Sequence, residues 1–193
     1  MNLSNAIYVI YILFFGAVTG IILITPYLAF GSNVDWIYEA FEPLCHQKIS
    51  RSLCVFSDGN GYWIGDCLPQ EGEYIYGMED RETIRVEEDG IIGYKMPACS
   101  RDFGLYGAMF LAALIYPLVR QIDDESVYPA IFLVAAMVPI GLDGGIQFTS
   151  DLGLLPFVYE STNTIRLITG AIAGVAATFY AIPLLMGMFR TKR

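Results

Sequence analysis

Four stretches of this chain carry no charged residue for a length that a soluble fold rarely sustains: Ile7 to Phe30, Phe103 to Val119, Val127 to Leu142 and Leu167 to Phe189. A helix needs about 20 apolar residues to cross a bilayer, within a range of about 17 to 25. Lipid offers no partner to a backbone N–H or C=O, so a helix, which satisfies both internally, is the natural spanning form. The runs therefore predict a mainly α integral membrane protein, a bundle of four transmembrane helices. The third run is the shortest, and reaches spanning length only if Asp143 lies near its boundary. A cleaved signal would need a basic start and a shorter apolar core. Met1 to Ala6 contains no Lys or Arg, so the first run reads as a retained anchor.

Charge divides the chain further. The formal net charge is −9, and Ser32 to Asp102 holds 14 Asp and Glu against 6 Lys and Arg. An acidic pole of this kind is the wrong sign for nucleic acid and for anionic lipid headgroups. It reads as a solvated outer segment, able to dock subunits of a membrane complex. Residues 1–31 are then the first spanning helix, 32–102 an extracytoplasmic segment, and 103–193 the other three helices with a basic cytoplasmic tail. The tail, "FRTKR", places Arg190, Lys192 and Arg193 next to the last span, and such clusters favour the cytoplasm. With four spans both termini are cytoplasmic, in a multi-pass protein of the cell membrane whose surroundings are lipids.

All four cysteines, Cys45, Cys54, Cys67 and Cys99, fall in the segment assigned to the outside. Thiols at this density outside the cytosol usually pair. Nearness in the chain favours Cys54–Cys67, which leaves Cys45–Cys99.

Ser32 or Asn33 can cap a short helix through "DWIYEAF", and Pro43 ends it. A second helical stretch is expected through "CHQKISRSLCVF". Residues 57–95 carry turn signals ("DGNG", "PQEG", "EEDG") between β-leaning pieces "EYIYG", "ETIRVEE" and "GIIGYKM". They read as a small β-hairpin insertion, with Asp89-Gly90 as a hairpin turn. Small residues four apart (Gly16 and Gly20, Ala108 and Ala112, Gly170 and Gly174) mark faces on which membrane helices can approach closely.

Ionisable residues near membrane depth are expensive and mark function by default. In "VPIGLDGGIQF", Asp143 reads as lying at a helix C-terminus with Gly144 beyond it, the unfavourable dipole end for a carboxylate. Arg166, in the first turn of the last span, is the mirror case. A pairing of Asp143 with Arg166, direct or across a ligand, would settle both; an ion pair that only clamps the two spans is the plainer reading. Arg51, Arg101, Gln147, Asn163 and His46, the sole histidine, fall in the same outer layer. They predict a polar pocket at the outer helix ends.

"CHQ", "RS", "PACSRDFGLYGA", "DGGIQ" and "ESTNTIRLITG", in that order, resemble a family of membrane proteins known as domain of unknown function 2085. The resemblance covers most of the chain outside 57–95. Some relatives have a cysteine where this chain has Asp102. The family label supplies no activity.

Three functions are open from the residues. In the first, Gln47, Arg51, Arg101, Gln147, Asn163 and Arg166 bind an anion or a lipid phosphate, with His46 and Asp143 as catalytic candidates. In the second, Cys45, His46, Cys99 and Asp143 hold zinc or copper, which excludes a Cys45–Cys99 disulfide. In the third, the protein is a non-catalytic subunit of a membrane complex. The first needs no cofactor. No span carries a polar stripe through its middle, which argues against a channel.

Overall fold

The computed structural model describes residues 3–45, 48–68 and 83–190. Its elements in chain order are α1 (Leu3–Ala29), α2 (Asp35–Phe41), a 3-10 turn (Ile49–Arg51), β1 (Leu53–Ser57), β2 (Tyr62–Asp66), β3 (Arg85–Glu88), β4 (Ile91–Lys95), α3 (Ser100–Val119), α4 (Ala130–Asp151) and α5 (Asn163–Arg190). Four of the helices, α1, α3, α4 and α5, are long and apolar enough to cross a membrane. Many of their apolar side chains are exposed, Ile10, Leu13, Leu118, Ile131 and Phe132 among them.

Consecutive long helices run antiparallel. At one end Tyr8 of α1 donates to the carbonyl of Ala113 in α3 at 2.7 Å, and Tyr8, Tyr11, Ala113, Tyr116, Ile182 and Met186 form a core of α1, α3 and α5. The closest helix pair is α3 with α5. A β-carbon on Gly170 would overlap the carbonyl oxygen of Arg101, and one on Gly104 or Gly174 would meet a backbone carbonyl oxygen of the opposite helix, of Leu167 or Leu105. The small-residue face expected on the last span is thus where two backbones touch. In the first span a β-carbon on Gly16 would meet the Phe110 ring at 2.9 Å, whereas one on Gly20 meets nothing, so only one of the pair packs closely there, and against a side chain.

At the other end, α2 and an antiparallel four-stranded sheet of order β2-β1-β4-β3 cover the helix ends. Ile22, Val34, Ile37, Tyr38, Phe41, Met96 and Ala98 make the core between them. Tyr27 and Phe30, at the end of α1, stack edge-on against Tyr62 of β2, and Phe30 also against Tyr94 of β4. The expected hairpin joins β3 to β4, with Asp89 and Gly90 both at positive φ (51° and 80°), the requirement of its two-residue turn. Asn33 accepts the backbone N–H of Asp35 at 3.0 Å and so steadies the start of α2.

Two local expectations are corrected. Among the described residues the stretch after Pro43 forms no α-helix: after one 3-10 turn it enters β1, where "LCVFS" finds partners on both sides in β2 and β4. The sheet therefore begins at Leu53, before residue 57. The segment "EYIYG" lies outside the described residues. Asp143 does not end its helix either. α4 continues for eight more residues, about 12 Å at 1.5 Å per residue, and Gly153, at φ 68°, supplies the left-handed terminus that Gly144 was expected to give.

Candidate functional site

The ends of α3, α4 and α5 meet under the sheet, and each contributes polar side chains to one buried cluster. Glu160, just before α5, is its hub. It accepts from Arg51 Nε at 3.0 Å and Nη2 at 3.1 Å, from Gln147 Nε2 at 2.7 Å, and from Arg166 Nη2. Arg51 also pairs with Asp151 at 2.9 Å. Burial alone would lower the Arg51 pKa, but the bonds and charges of Asp151 and Glu160 outweigh it and raise the pKa.

Asp143 and Arg166 lie at the same end of the bundle, yet they do not pair as expected. Asp143 is bound by Arg101 Nη2 at 2.5 Å and by the Tyr159 hydroxyl at 2.9 Å. Arg166, 2% exposed, goes to Glu160. The reason is reach. Glu160 and Arg166 are six residues apart on either side of the α5 start, whereas Asp143 faces the first turn of α3. Burial, and then the hydrogen bond to Asp143, raise the Tyr159 pKa, so the phenol stays a donor.

Asn163 ties the layers together. Its Oδ1 accepts from Ser100 at 2.8 Å, and its Nδ2 donates to Asp66 at 2.8 Å and to the Ser52 carbonyl at 3.3 Å. The Thr162 hydroxyl, just before α5, accepts the backbone N–H of Ile165 at 3.2 Å.

Beside this network lies a cavity of about 230 Å³ lined by Leu44, Cys45, Lys48, Arg51, Cys99, Arg101, Asp102, Gln147 and Arg166. All three expected arginines reach it. Asp143, Asp151 and Glu160, the carboxylates that hold those arginines, are not in its lining. Among the described residues, Arg101 Nε is buried with no hydrogen-bond partner. Gln147, 3% exposed, belongs to the same wall. His46 and Gln47 lie outside the described residues.

The cysteines divide. Cys54 and Cys67 lie at disulfide distance, linking β1 to the end of β2. Cys45 and Cys99 are not joined, which corrects the second expected bond, although they are neighbours: the backbone N–H of Cys99 points at Cys45 Sγ, 3.2 Å away. Cys99 Sγ lies 3.2 Å from a carboxylate oxygen of Asp102. Asp143 is occupied by Arg101 and Tyr159 and takes no part in this group.

Sequence reasoning missed Glu160, Asp102, Lys48, Tyr159 and Asp151. Glu160 had a signal, since a lone acid immediately before a helix start that carries Arg166 is placed to answer it. Asp151 and Tyr159 had none, because one depends on α4 running on to Asp151 and the other on the fold of the loop after it.

A model for the family described as "Predicted membrane protein (DUF2085)" matches residues 90–180. That range takes in β4, α3, α4 and most of α5, and with them Arg101, Asp143, Gln147, Asn163 and Arg166. The uncharacterized protein MJ1492 of Methanocaldococcus jannaschii is 27% identical over 179 residues, covering 89% of this chain and 87% of that protein. No solved structure matches significantly. The resemblance read from the scattered motifs is thus shown over residues 90–180, where this chain matches the predicted membrane proteins of DUF2085.

Proposed function

We propose that this membrane protein binds an anionic, phosphate-class group in the arginine-lined cavity. One observation carries the reading: among the described residues, the lining has four basic side chains, Lys48, Arg51, Arg101 and Arg166, and one carboxylate, Asp102. Asp143, Asp151 and Glu160 grip the guanidiniums away from that lining. Arginines held in this way lose little freedom when they meet a planar or tetrahedral oxyanion, which they bind through paired N–H groups. The unpartnered Nε of Arg101 is a donor in want of an acceptor, and a buried donor left so costs about 1–3 kcal/mol. At about 230 Å³ the cavity is below the usual range of drug-sized pockets, about 300–1,000 Å³, and suits a headgroup.

On this proposal the cavity lies on the extracytoplasmic side, with two supports. In the sequence Arg190, Lys192 and Arg193 come directly after the apolar stretch of the last span, a cluster that favours the cytoplasm, and the Cys54–Cys67 pair at the cavity end fits an oxidising compartment.

The test uses the full chain in phosphatidylcholine nanodiscs, titrated separately with inorganic phosphate and with dioctanoyl phosphatidic acid. Saturable binding of either probe is expected, weakened tenfold or more in Arg101→Gln while helix content is unchanged. A preference for the second probe marks a lipid source, and for the first a soluble one. Failure of both probes to bind, or equal binding by Arg101→Gln, overturns the proposal and leaves the network as a clamp on the helix ends.

A further inference from the structure

Cys45, Cys99 and Asp102 offer two sulfurs and a carboxylate oxygen that all lie within 4.8 Å of one another. We propose that these three residues bind a divalent zinc-class cation, with its fourth coordination position opening on the arginine cavity. This inference is independent of the phosphate reading, and either can fail alone.

Three features of the fold assemble the set. Cys45 is buried in the loop after α2. Cys99 is the residue before α3, and Asp102 is in the first turn of that helix. Residues three apart share a helix face, so Cys99 and Asp102 present their ligand atoms to the same point, and the loop brings Cys45 to it from another direction. The backbone N–H of Cys99 is aimed at Cys45 Sγ, and a donor at that sulfur favours the thiolate, the form that binds metal.

The dimensions suit a small tetrahedral ion. Bonds of about 2.3 Å to sulfur and about 2.0 Å to oxygen put neighbouring ligand atoms about 3.5–3.8 Å apart. The 4.8 Å limit therefore requires a contraction of about 1 Å at the widest pair, within the rotamer freedom of a loop cysteine. Cys99 and Asp102 already stand 3.2 Å apart. The donor set selects among metals. Two thiolates with one carboxylate suit zinc, whereas copper(I) prefers soft donors alone and magnesium or calcium oxygen alone. Three protein ligands and an open position are the pattern of zinc sites that accept an exchangeable fourth ligand. Cys45, Cys99 and Asp102 also line the cavity that Arg51, Arg101 and Arg166 enter, so whatever takes the fourth position meets guanidiniums.

The test uses the full chain purified without chelator, with metal content and cysteine state measured on the same sample. About one zinc per chain is expected, with Cys45 and Cys99 resistant to alkylation in alkali, where the metal-free thiols react, until a chelator is added. Cobalt substitution should give thiolate-to-cobalt charge-transfer absorption. Asp102→Asn, which keeps the side-chain size, should weaken zinc at least tenfold against a chromophoric competitor, with helix content and the Cys54–Cys67 bond intact. A Cys45–Cys99 disulfide in the isolated protein, less than a tenth of a zinc per chain after loading, or unchanged zinc affinity in Asp102→Asn would each overturn the site.

Discussion

At the residue scale, the side chain with most resting on it is Glu160, which answers Arg51, Arg166 and Gln147 together. Removing its charge leaves the buried Arg166 without its carboxylate and Arg51 with Asp151 alone, and breaking a buried pair on one side typically costs about 3–5 kcal/mol. Glu160→Gln is accordingly expected to melt well below the parent protein in one detergent; an equal melting temperature would show that the arginines are hydrated. Cys99 allows a pH prediction. The hydrogen bond with Cys45, followed by burial and by the charges of Cys45 and Asp102, raises the Cys99 pKa well above the ordinary 9.0. In metal-free protein its alkylation should stay slow near neutral pH and accelerate only in alkali, and a rate already level at pH 8 would contradict this. The folded state keeps a proton here that the unfolded state loses. The associated stability is therefore complete below the unfolded pKa and lost as pH rises through the folded one.

At the scale of elements, the α3–α5 contact and α4 are opposites. α3 and α5 touch through backbone at Gly104, Gly170 and Gly174. Gly170→Ala must push the helices apart, an overpacking that costs about 1–3 kcal/mol. Gly20→Ala, with nothing within 4 Å of its new carbon, should be neutral or slightly stabilising, since alanine favours a helix by about 1 kcal/mol over glycine. Thermal melts of the two variants side by side check the contrast, and equal shifts would refute it. The buried residues of α4, by contrast, are Asp143 and Gln147. An apolar helix held to its neighbours by polar side chains is tethered at the cavity end. Asp143→Leu should loosen it, seen as faster hydrogen exchange along α4 while α3 and α5 stay protected. Unchanged exchange would mean that apolar contacts alone hold the helix.

At the scale of the whole molecule, the long helices, the sheet and the disulfide converge on one end, and sidedness is the property that links them. Leu154, 70% exposed in the loop between α4 and α5, and Glu125, in the loop between α3 and α4, lie at opposite ends. In intact cells a membrane-impermeant maleimide is expected to label Leu154→Cys and to spare Glu125→Cys. The reverse pattern would turn the cavity to the cytoplasm.

What the chain order alone determined is the set of long apolar helices, the Asp89-Gly90 hairpin, the Cys54–Cys67 pair and the gathering of Arg51, Arg101, Asp143, Gln147, Asn163 and Arg166 at one end. Each follows from local physics: charge-free length, turn chemistry, chain proximity, and the cost of polar groups within lipid. The folded bundle decided which charge meets which, because partners are chosen by distance across helices and loops. That is why Arg166 found Glu160 and Arg101 took Asp143, and why β1 replaced a helix once two strands flanked it. It is also why Asp102, which the sequence did not assign to any site, came to stand beside two thiols.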